Sequence, residues 1–405
     1  MRNWVLILLA MILALAACTS ENESASTHSN PPGVTDTEIR LGASLALTGH
    51  AGYLGTQTLR GAEAYIRHVN KLGGVHGRTI KVIAADDSYD PPRCLANTQK
   101  FIVDNDIFSL FCYVGTPTTV KVLPLVEEAK IPLIGMLTGA NALREPFNRY
   151  VVNIRASYYQ ETGAAVAHLV KDLGIKRIAV FYQYDVYGFD GLIGTELALK
   201  KFKLEPVARG SYIRGTLKVS EGLEKIQNSK AEAVVMIGTY GACARFIQLA
   251  QQANYDPIFY NVSFVGAEEL ARRIGDGTPT VLMSQVVPPP EAGSGNSQEA
   301  AIQYVRLLNR YFPGETPSFI GLEGFLNARV LVEGLEKAGR KLTREGLVNA
   351  IESIHNLDLG PGMSITYGEL DRQGLDQVYF TRLEHGRFVP FSDWKSLKAK
   401  QEALQ

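Results

Sequence analysis

Small polar and aromatic residues recur in six short segments of this sequence, each directly after an apolar run. Their hydroxyl and amide groups can hydrogen-bond the polar end of a small molecule, while tyrosine rings can pack against its body. Glycine in the same segments lets the backbone come close to a bound molecule. Each segment by itself is also compatible with ordinary turn chemistry. The segments are residues 48–53, 115–119, 137–140, 184–188, 238–241 and 261–264, and the candidate binding residues in them are Tyr53, Thr116, Thr118, Thr138, Gly139, Tyr187, Tyr240 and Ser263.

Motifs that carry catalysis are absent from the sequence. It has no G-x-S-x-G elbow, no Walker phosphate loop, no G-x-G-x-x-G and no H-E-x-x-H. The seven histidines are scattered, and we interpret His68 and His168, within predicted helices, as ordinary surface or hydrogen-bonded residues. The pair Asp86-Asp87 has no positioned acid or base beside it, which favours turn formation and helix capping. We therefore predict no catalytic residue, no metal site and no cofactor.

Three cysteines lie within the predicted elements. Cys94 is near the start of a predicted helix and Cys112 ends a predicted strand of the same βαβ unit, so the two could meet. In an oxidising compartment they would form a disulfide; the alternative is two buried thiols. Cys243 then has no partner, and we interpret it as a small core residue on a helix.

Strand-like and helix-like patterns alternate through most of the chain. Strands alternating with helices predict an α/β fold with parallel sheets flanked by helices. The carboxyl ends of parallel strands share one sheet edge, so we expect the six segments to gather at the edges where ligands bind. The strand patterns cover residues 39–47, 79–85, 107–114, 131–136, 177–182, 206–211, 233–237, 257–260 and 280–287.

The alternation forms two series that meet near residue 155 and again near residue 287, which predicts two lobes. Helical patterns follow, and two late segments, 363–366 and 377–382, predict a hairpin. We expect hinges of crossing strands near residues 155–157, 287–290 and 357–362. The predicted late helices are residues 297–312, 318–338 and 343–354. The predicted boundaries are 38–155 and 287–357 for the first lobe, 156–286 and 358–391 for the second, and 392–405 for a C-terminal tail.

The N-terminus has the pattern of a lipoprotein signal peptide. Residues 1–17 combine a basic start, an apolar run and small residues directly before Cys18. We expect Cys18 to carry lipid and residues 18–37 to form a polar leash, which would hold the protein on a membrane. The alternatives are an ordinary secretory signal or a membrane anchor, although the apolar run is shorter than the ~20 residues that span a bilayer.

Composition argues against charged macromolecular partners. About 370 residues follow the leash, enough for two domains. Residues 1–17 contain one basic residue and no acidic one, so the remainder has 40 basic and 41 acidic side chains. A chain this close to neutral has no basic stripe, and we expect no nucleic-acid partner.

Several motifs resemble the type I periplasmic binding proteins, in particular the Leu/Ile/Val-binding branch of ABC-importer receptors. Their order and spacing carry the resemblance, which covers roughly residues 38–391. It implies a Venus-flytrap fold that closes on a small-molecule ligand and docks on an ABC permease in the cytoplasmic membrane. The motifs are Thr48-Gly49 after the first strand, residues 72–78, Asp86-Asp87 before Pro91, residues 155–161, Tyr187-Gly188, residues 261–266 and residues 318–325.

The resemblance also implies a site. The family's hydroxyl for a ligand carboxylate corresponds to Thr116, its cleft tyrosines to Tyr187 and Tyr240, and the wall of its first loop to Tyr53 or Leu54. Tyr158, within the motif at 155–161, joins the candidate residues. Two positions depart from the family, because Gly139 stands where amino-acid binders have Thr and Ser263 where they have the Glu that pairs with an ammonium group. A buried ammonium without a carboxylate is costly, so we expect an aromatic or aliphatic carboxylate or a neutral amide-like ligand.

The expected function is therefore that of a monomeric, lipid-anchored receptor of an ABC importer in the periplasm or on the extracytoplasmic face. We expect no enzymatic activity. The same clamp would also suit a sensor whose closed form is read by a membrane kinase or chemoreceptor. A periplasmic hydrolase is a further alternative, for which the sequence offers no nucleophile and base.

Overall fold

The computed structural model of the protein describes residues 30–104, 106–275, 279–290, 299–360 and 363–397. The predicted signal peptide, the lipid site Cys18, the leash up to residue 29 and the last eight residues lie outside these ranges. The described residues from Pro31 onward form one compact unit. Within the described ranges, every helix is too short or too polar to cross a membrane.

A parallel five-stranded sheet forms the core of the first lobe. Its strand order is β2-β1-β3-β4-β5, and β1 and β2 pair in register from Glu38↔Thr79 to Leu45↔Asp86. Asp90 starts the second helix by accepting a hydrogen bond from the N–H of Arg93, with prolines in the first turn. The strands are β1 (Glu38–Leu45), β2 (Thr79–Asp86), β3 (Ser109–Phe111), β4 (Leu133–Ile134) and β5 (Val151–Val152), and the helices are α1 (Gly52–Lys71), α2 (Pro91–Val103) and α3 (Thr116–Glu128).

A second parallel series follows and forms most of the second lobe. Ser157 and Gln160 form a capping box at the start of its first helix, and Asp185 caps its second. The strands β9, β8, β6 and β7 are neighbours in that order, and β10 pairs with β9. The elements are α4 (Tyr158–Lys171), β6 (Ile178–Gln183), α5 (Val186–Lys200), β7 (Arg209–Tyr212), α6 (Ser220–Asn228), β8 (Ala233–Ile237), α7 (Tyr240–Gln252), β9 (Ile258–Asn261), α8 (Ala267–Ile274) and β10 (Val281–Gln285).

Three helices then return to the first lobe: α9 (Glu299–Tyr311), α10 (Phe319–Ala338) and α11 (Arg344–Glu352). Both α9 and α10 pack against α1, and α11 packs against α10. Glycine permits the close approach of α1 and α10, because a Cβ on Gly61 would lie 1.8 Å from the carbonyl oxygen of Gly321. The chain therefore crosses between the lobes after β5 and after β10, as the sequence predicts.

The predicted late hairpin is wrong in its pairing. Residues 364–365 form β12 (Ser364–Ile365), which pairs with β11 (Leu357–Asp358) in a separate two-stranded sheet. The second predicted segment becomes β13 (Tyr379–Glu384), which pairs antiparallel with β10 and with β14 (Arg387–Pro390), so the second sheet has seven strands. Both segments are short and mix polar with apolar residues. The partner of β12 precedes it closely in the chain, whereas β10 lies far from β13 in the sequence, and no local pattern indicated either partner.

The predicted disulfide between Cys94 and Cys112 is also wrong, because Cys94, Cys112 and Cys243 are all free and buried. Cys94 and Cys112 belong to different apolar clusters of the first lobe. The Sγ of Cys112 accepts a hydrogen bond from Asn327 on α10 at 3.6 Å. The alternative of two buried thiols holds.

The two-lobe α/β architecture is confirmed, while the residues at which the lobes divide stay a prediction. Part of the predicted C-terminal tail is packed rather than free. Trp394 is buried, and its ring stacks on His168 with centroids 4.4 Å apart. A tryptophan near a chain end was the one sequence signal for this packing.

Candidate functional site

Loops at the carboxyl ends of the two sheets face each other and make direct contact. The hydroxyl of Tyr53 donates to Glu268 Oε2 at 3.1 Å, and the N–H of Asn141 donates to Asp190 Oδ1 at 2.9 Å. Each pair joins the first lobe to the second. The cleft between the lobes is therefore closed, and the predicted segments from both sheets meet inside it.

Two threonines form the hydroxyl part of the site. Thr116 begins α3 and Thr138 follows the end of β4, and their Oγ1 atoms are 2.7 Å apart. Both side chains are buried, and no side chain caps the first turn of α3. A helix start of this kind offers free N–H groups to an acceptor. Thr118 serves a different role, because its hydroxyl donates to the carbonyl groups of Val114 and Gly115.

Gly139 makes room for Tyr158. A Cβ on Gly139 would lie 2.7 Å from the backbone nitrogen of Tyr158 and 2.8 Å from its ring, closer than real contacts. The N–H of Tyr158 donates to the carbonyl of Gly139 at 2.8 Å. The tyrosine takes the space that a larger residue at position 139 would need. Its own hydroxyl is buried and forms no hydrogen bond within the part of the chain that the structure describes.

Four aromatic side chains form a continuous row through the cleft, which we call the aromatic row. Neighbouring ring centroids are 5.3 Å apart for Tyr158 and Tyr187, 4.9 Å for Tyr187 and Phe264, and 5.9 Å for Phe264 and Tyr89. All four side chains are buried. The Tyr187 hydroxyl donates to the carbonyl of Gly238, whereas those of Tyr158 and Tyr89, at the two ends, form no hydrogen bond with any described residue. Buried polar atoms without partners are rare, so these hydroxyls mark where a ligand can bind.

Tyr89 was missed by the sequence analysis, which treated its segment as a turn. Its backbone has φ of 62°, in the left-handed region, and its N–H donates to Asp87 Oδ1 at 2.9 Å. A Cβ on Gly115 would lie 2.0 Å from the Tyr89 ring. The turn chemistry expected for Asp87 is present, and its effect is to aim an aromatic ring into the cleft.

Tyr53, Leu54 and Tyr240 lie where the lobes touch. The rings of Tyr53 and Tyr240 meet edge to face with centroids 6.2 Å apart. Leu54 is buried, and its Cδ2 would lie 2.9 Å from a Cβ on Gly266 of the second lobe. These three residues close the cleft at the lobe contact rather than extending the aromatic row.

A buried charged cluster lies beside the Tyr158 end of the row, with the Arg155 guanidinium 5.6 Å from the Tyr158 ring centroid. Arg155 bonds Glu161 at 2.8 Å and Glu323 at 3.1 Å, and it also donates to Ser263 Oγ. Glu161 belongs to the second lobe and Glu323 to the helix α10 of the first. Ser263 is therefore in contact with a cation.

Glu161 is fully satisfied by the protein itself. Its two oxygens accept four hydrogen bonds, from Arg155, from the N–H and hydroxyl of Ser263 and from the hydroxyl of Ser284. Burial raises the pKa of Glu323 to about 7, and the charge of Arg155 opposes this rise. Burial alone would lower the pKa of Arg155, but Glu323 and Glu161 raise it above its ordinary value.

A second arginine lies beside the other end of the row. The Arg214 guanidinium is 6.0 Å from the Tyr89 ring centroid, and its Nη1 donates to Asp185 Oδ2 at 3.2 Å. His50 packs edge-on against Tyr89 at 5.4 Å, and its buried Nε2 has no partner. Burial, and then the charge of Arg214, lowers the pKa of His50, which favours the neutral ring.

The structure thus brings Thr116, Thr138, Tyr158, Tyr187 and Ser263 to one cleft, with Gly139 among them. Sequence reasoning missed Tyr89, Phe264, Arg214 and the role of Glu161. The apolar body and polar ends of this cleft suit a small organic molecule. Across the described ranges, His, Cys, Asp and Glu side chains form no group of three or more that could hold a metal ion.

Comparisons with known proteins agree with this geometry. The model of a family described as periplasmic binding protein matches residues 38–387. The crystal structure of a possible leucine/isoleucine/valine-binding protein from Rhodopirellula baltica SH 1 is 32% identical, with a TM-score of 0.83 over 91% of this chain and 99% of that one. A fatty acid ABC transporter substrate-binding protein from Thermomonospora curvata is 22% identical, with a TM-score of 0.79 over 91% and 96%. The Leu/Ile/Val-binding protein BraC3 of Rhizobium johnstonii is 22% identical over 87% of this chain and 93% of its own.

Proposed function

This chain belongs to the periplasmic binding protein family, in its Leu/Ile/Val-binding type, and we propose that it is the lipid-anchored receptor of an ABC importer. It captures a small organic ligand between its two lobes on the extracytoplasmic side and presents it to a membrane permease. The observation that carries the proposal is the aromatic row, which is buried between the lobes and has at each end a hydroxyl that no described residue hydrogen-bonds. Such a site suits a molecule with an apolar body and polar ends.

Likeness to relatives leaves the ligand class open. One similar protein is described as binding Leu, Ile and Val, and another as belonging to a fatty acid transporter. These ligands differ in their amine and in the length of their apolar body. The fold serves both, so the ligand of this chain must be argued from its own side chains.

The binding residues of the proposal are Thr116 and Thr138 at the start of α3, and Tyr158 and Tyr187 in the aromatic row. Tyr53, Leu54 and Tyr240 join the lobes around the bound molecule. Ser263 is bonded to Arg155 and Glu161, and it has no carboxylate to offer to an ammonium group. We infer that the ligand is a carboxylate or an amide-like molecule rather than a free branched-chain amino acid.

The clamp mechanism follows from the crossings of the chain. The lobes open and close about the segments near residues 155–157, 287–290 and 357–362, and the ligand stabilises the closed form because it contacts both lobes. Lipid on Cys18 would keep this receptor beside its permease. A monomer suffices for this task.

Binding and closure can be measured together. The thermal unfolding of the full chain with Cys18→Ser, which cannot take lipid, is measured in the presence of candidate ligands. The candidates are amino acids, aromatic acids, fatty acids and amides, together with a mixed extract of small molecules. A ligand at 100 times its Kd adds about 2.7 kcal/mol to the free energy of unfolding. X-ray scattering should then show a smaller radius of gyration with the ligand than without it. An extract and panel that give neither stabilisation nor compaction would contradict the proposed function.

A further inference from the structure

Two carboxylates near the ends of the aromatic row, Asp185 and Glu161, are already occupied by the protein's own donors. Asp185 lies near Tyr89, and its oxygens accept from the N–H groups of Tyr187 and Gly188, from Gln183 and from Arg214. Glu161, at the other end, accepts four hydrogen bonds as well, as described above. A carboxylate has about four lone-pair positions, so neither has room for a ligand ammonium group.

Glu323 is the third carboxylate near the row. Its Oε2 accepts from Arg155, and the side chain is 4% exposed. The cation of this cluster is therefore the guanidinium of Arg155, which belongs to the protein. A ligand amine would have to compete with that bond inside a buried cluster.

Donors, in contrast, are in surplus at the Tyr89 end. A guanidinium has five N–H groups, and within the described ranges Arg214 forms one hydrogen bond, to Asp185. Within the same ranges, the buried Tyr89 hydroxyl and His50 Nε2 form no hydrogen bond. Arg214 comes from the second lobe, and His50 and Tyr89 come from the first. Spare donors around a cation are the arrangement that binds a carboxylate.

We propose that Arg214, Tyr89 and His50 form a carboxylate subsite across the two lobes, so that the ligand is an organic acid with an apolar body and without an amine. This inference rests on the proposed binding function. The body lies along the aromatic row, and the acid group reaches Arg214 at its Tyr89 end. Because the three residues come from both lobes, the acid group also favours the closed form.

Matched compounds test the inference on the full chain with Cys18→Ser. Isothermal titration uses 3-phenylpropionate, 3-phenylpropionamide and L-phenylalanine, and a second series uses 4-methylpentanoate, 4-methylpentanamide and L-leucine. We expect an acid to bind at least about tenfold more tightly than its own amide and its own α-amino derivative, because the charged hydrogen bonds to Arg214 are lost or an amine is left unpaired.

Variants assign the preference to named residues. Arg214→Met should reduce the affinity for the acid to that for the amide. Arg214→Lys should keep a preference for the acid at lower affinity. This variant replaces Arg214→Met in the test if the Met variant fails to fold. Tyr89→Phe should weaken acid and amide alike, because its hydroxyl donates to either. Arg209→Met is the control. Arg209 lies five residues before Arg214 in the sequence and forms an exposed ion pair with Glu196.

The outcomes separate this inference from the proposed function. Equal binding of acid and amide, tighter binding of the amino acid, or an acid preference that survives Arg214→Met would overturn the subsite. The subsite is also overturned if none of the acids binds. In that case stabilisation and compaction by the extract would still support the proposed receptor function, and their absence would contradict it.

Discussion

The two arginines of the cleft have the same charge and opposite surroundings. Arg155, with a side chain 3% exposed, is held by Glu161 and Glu323 and donates to Ser263. Arg214, 29% exposed, has one ion-pair partner in the described ranges, Asp185. A cation in a binding cleft is available to a ligand only when the fold leaves its hydrogen-bond donors free. Arg155 stabilises the junction of the lobes, and Arg214 is left to recognise something else.

Replacement of Arg155 tests the structural half of this comparison and should have the largest effect. Arg155→Met leaves Glu161 and Glu323 buried without their cation, which costs about 3–5 kcal/mol of the free energy of unfolding. Arg214→Met should cost much less, because its carboxylate partner keeps three other donors. Urea denaturation of both variants without ligand measures the difference. Equal losses would remove the distinction between the two arginines.

The Tyr89 end also depends on a glycine, and its replacement should have the next largest effect. Gly115→Ala places a Cβ 2.0 Å from the Tyr89 ring at a backbone φ of 95°. We expect a loss of about 2–3 kcal/mol of stability and weaker ligand binding, because the ring must move away from Arg214. Denaturation and titration of this variant give both quantities.

Gly174→Ala, which has a positive φ of 74° but nothing within 4 Å of its added Cβ, is the control for backbone strain alone. A Gly115 variant that behaves like this control would show that Tyr89 is not held by contact with residue 115.

Much of this architecture could be predicted from the sequence, because strand and helix periodicity and the small polar segments are local signals. The segments at Thr116, Thr138 and Tyr187 were found in this way, whereas the departure at Ser263 was inferred from the resemblance to the binding-protein family. The pairing of β13 with β10 could not be found, since pairing over long separations leaves no local pattern. The strands β11 and β12 are too short to show an alternating pattern. Tyr89 was missed for a similar reason. Its role depends on Gly115, which lies on a different loop and meets the ring only in the folded protein.

The pH dependence of stability separates the ionic cluster of Arg155 from the rest of the molecule. Burial raises the pKa of Glu323 to about 7 from an ordinary value of 4.5. The folded state then binds more protons than the unfolded state between these values, so this group's contribution to stability is present at low pH and is lost as the pH rises from about 4.5 to 7. Glu323→Gln should flatten this part of the profile by roughly 3 kcal/mol.

Denaturation at several pH values between 4 and 8 measures this slope. Glu333→Gln serves as the matched control, because Glu333 lies on the same helix in a partly exposed pair with Lys337. Its profile should keep the slope of the unchanged protein. If Glu323→Gln also keeps that slope, the buried carboxylate is not the group that titrates there.

The smallest expected effect comes from Arg209, which has one carboxylate partner but lies outside the cleft. Its ion pair with Glu196 has side chains 42% and 37% exposed, so solvent screens the attraction. Arg209→Met should change the free energy of unfolding by less than about 1 kcal/mol and leave ligand affinity unchanged. Like Arg209, Arg214 has a single carboxylate partner. Like Arg155, it lies beside the aromatic row. If Arg214→Met matches Arg209→Met in stability and yet loses ligand affinity, the function of Arg214 lies in its spare donors. If both variants leave affinity unchanged, position beside the row does not make an arginine part of the site.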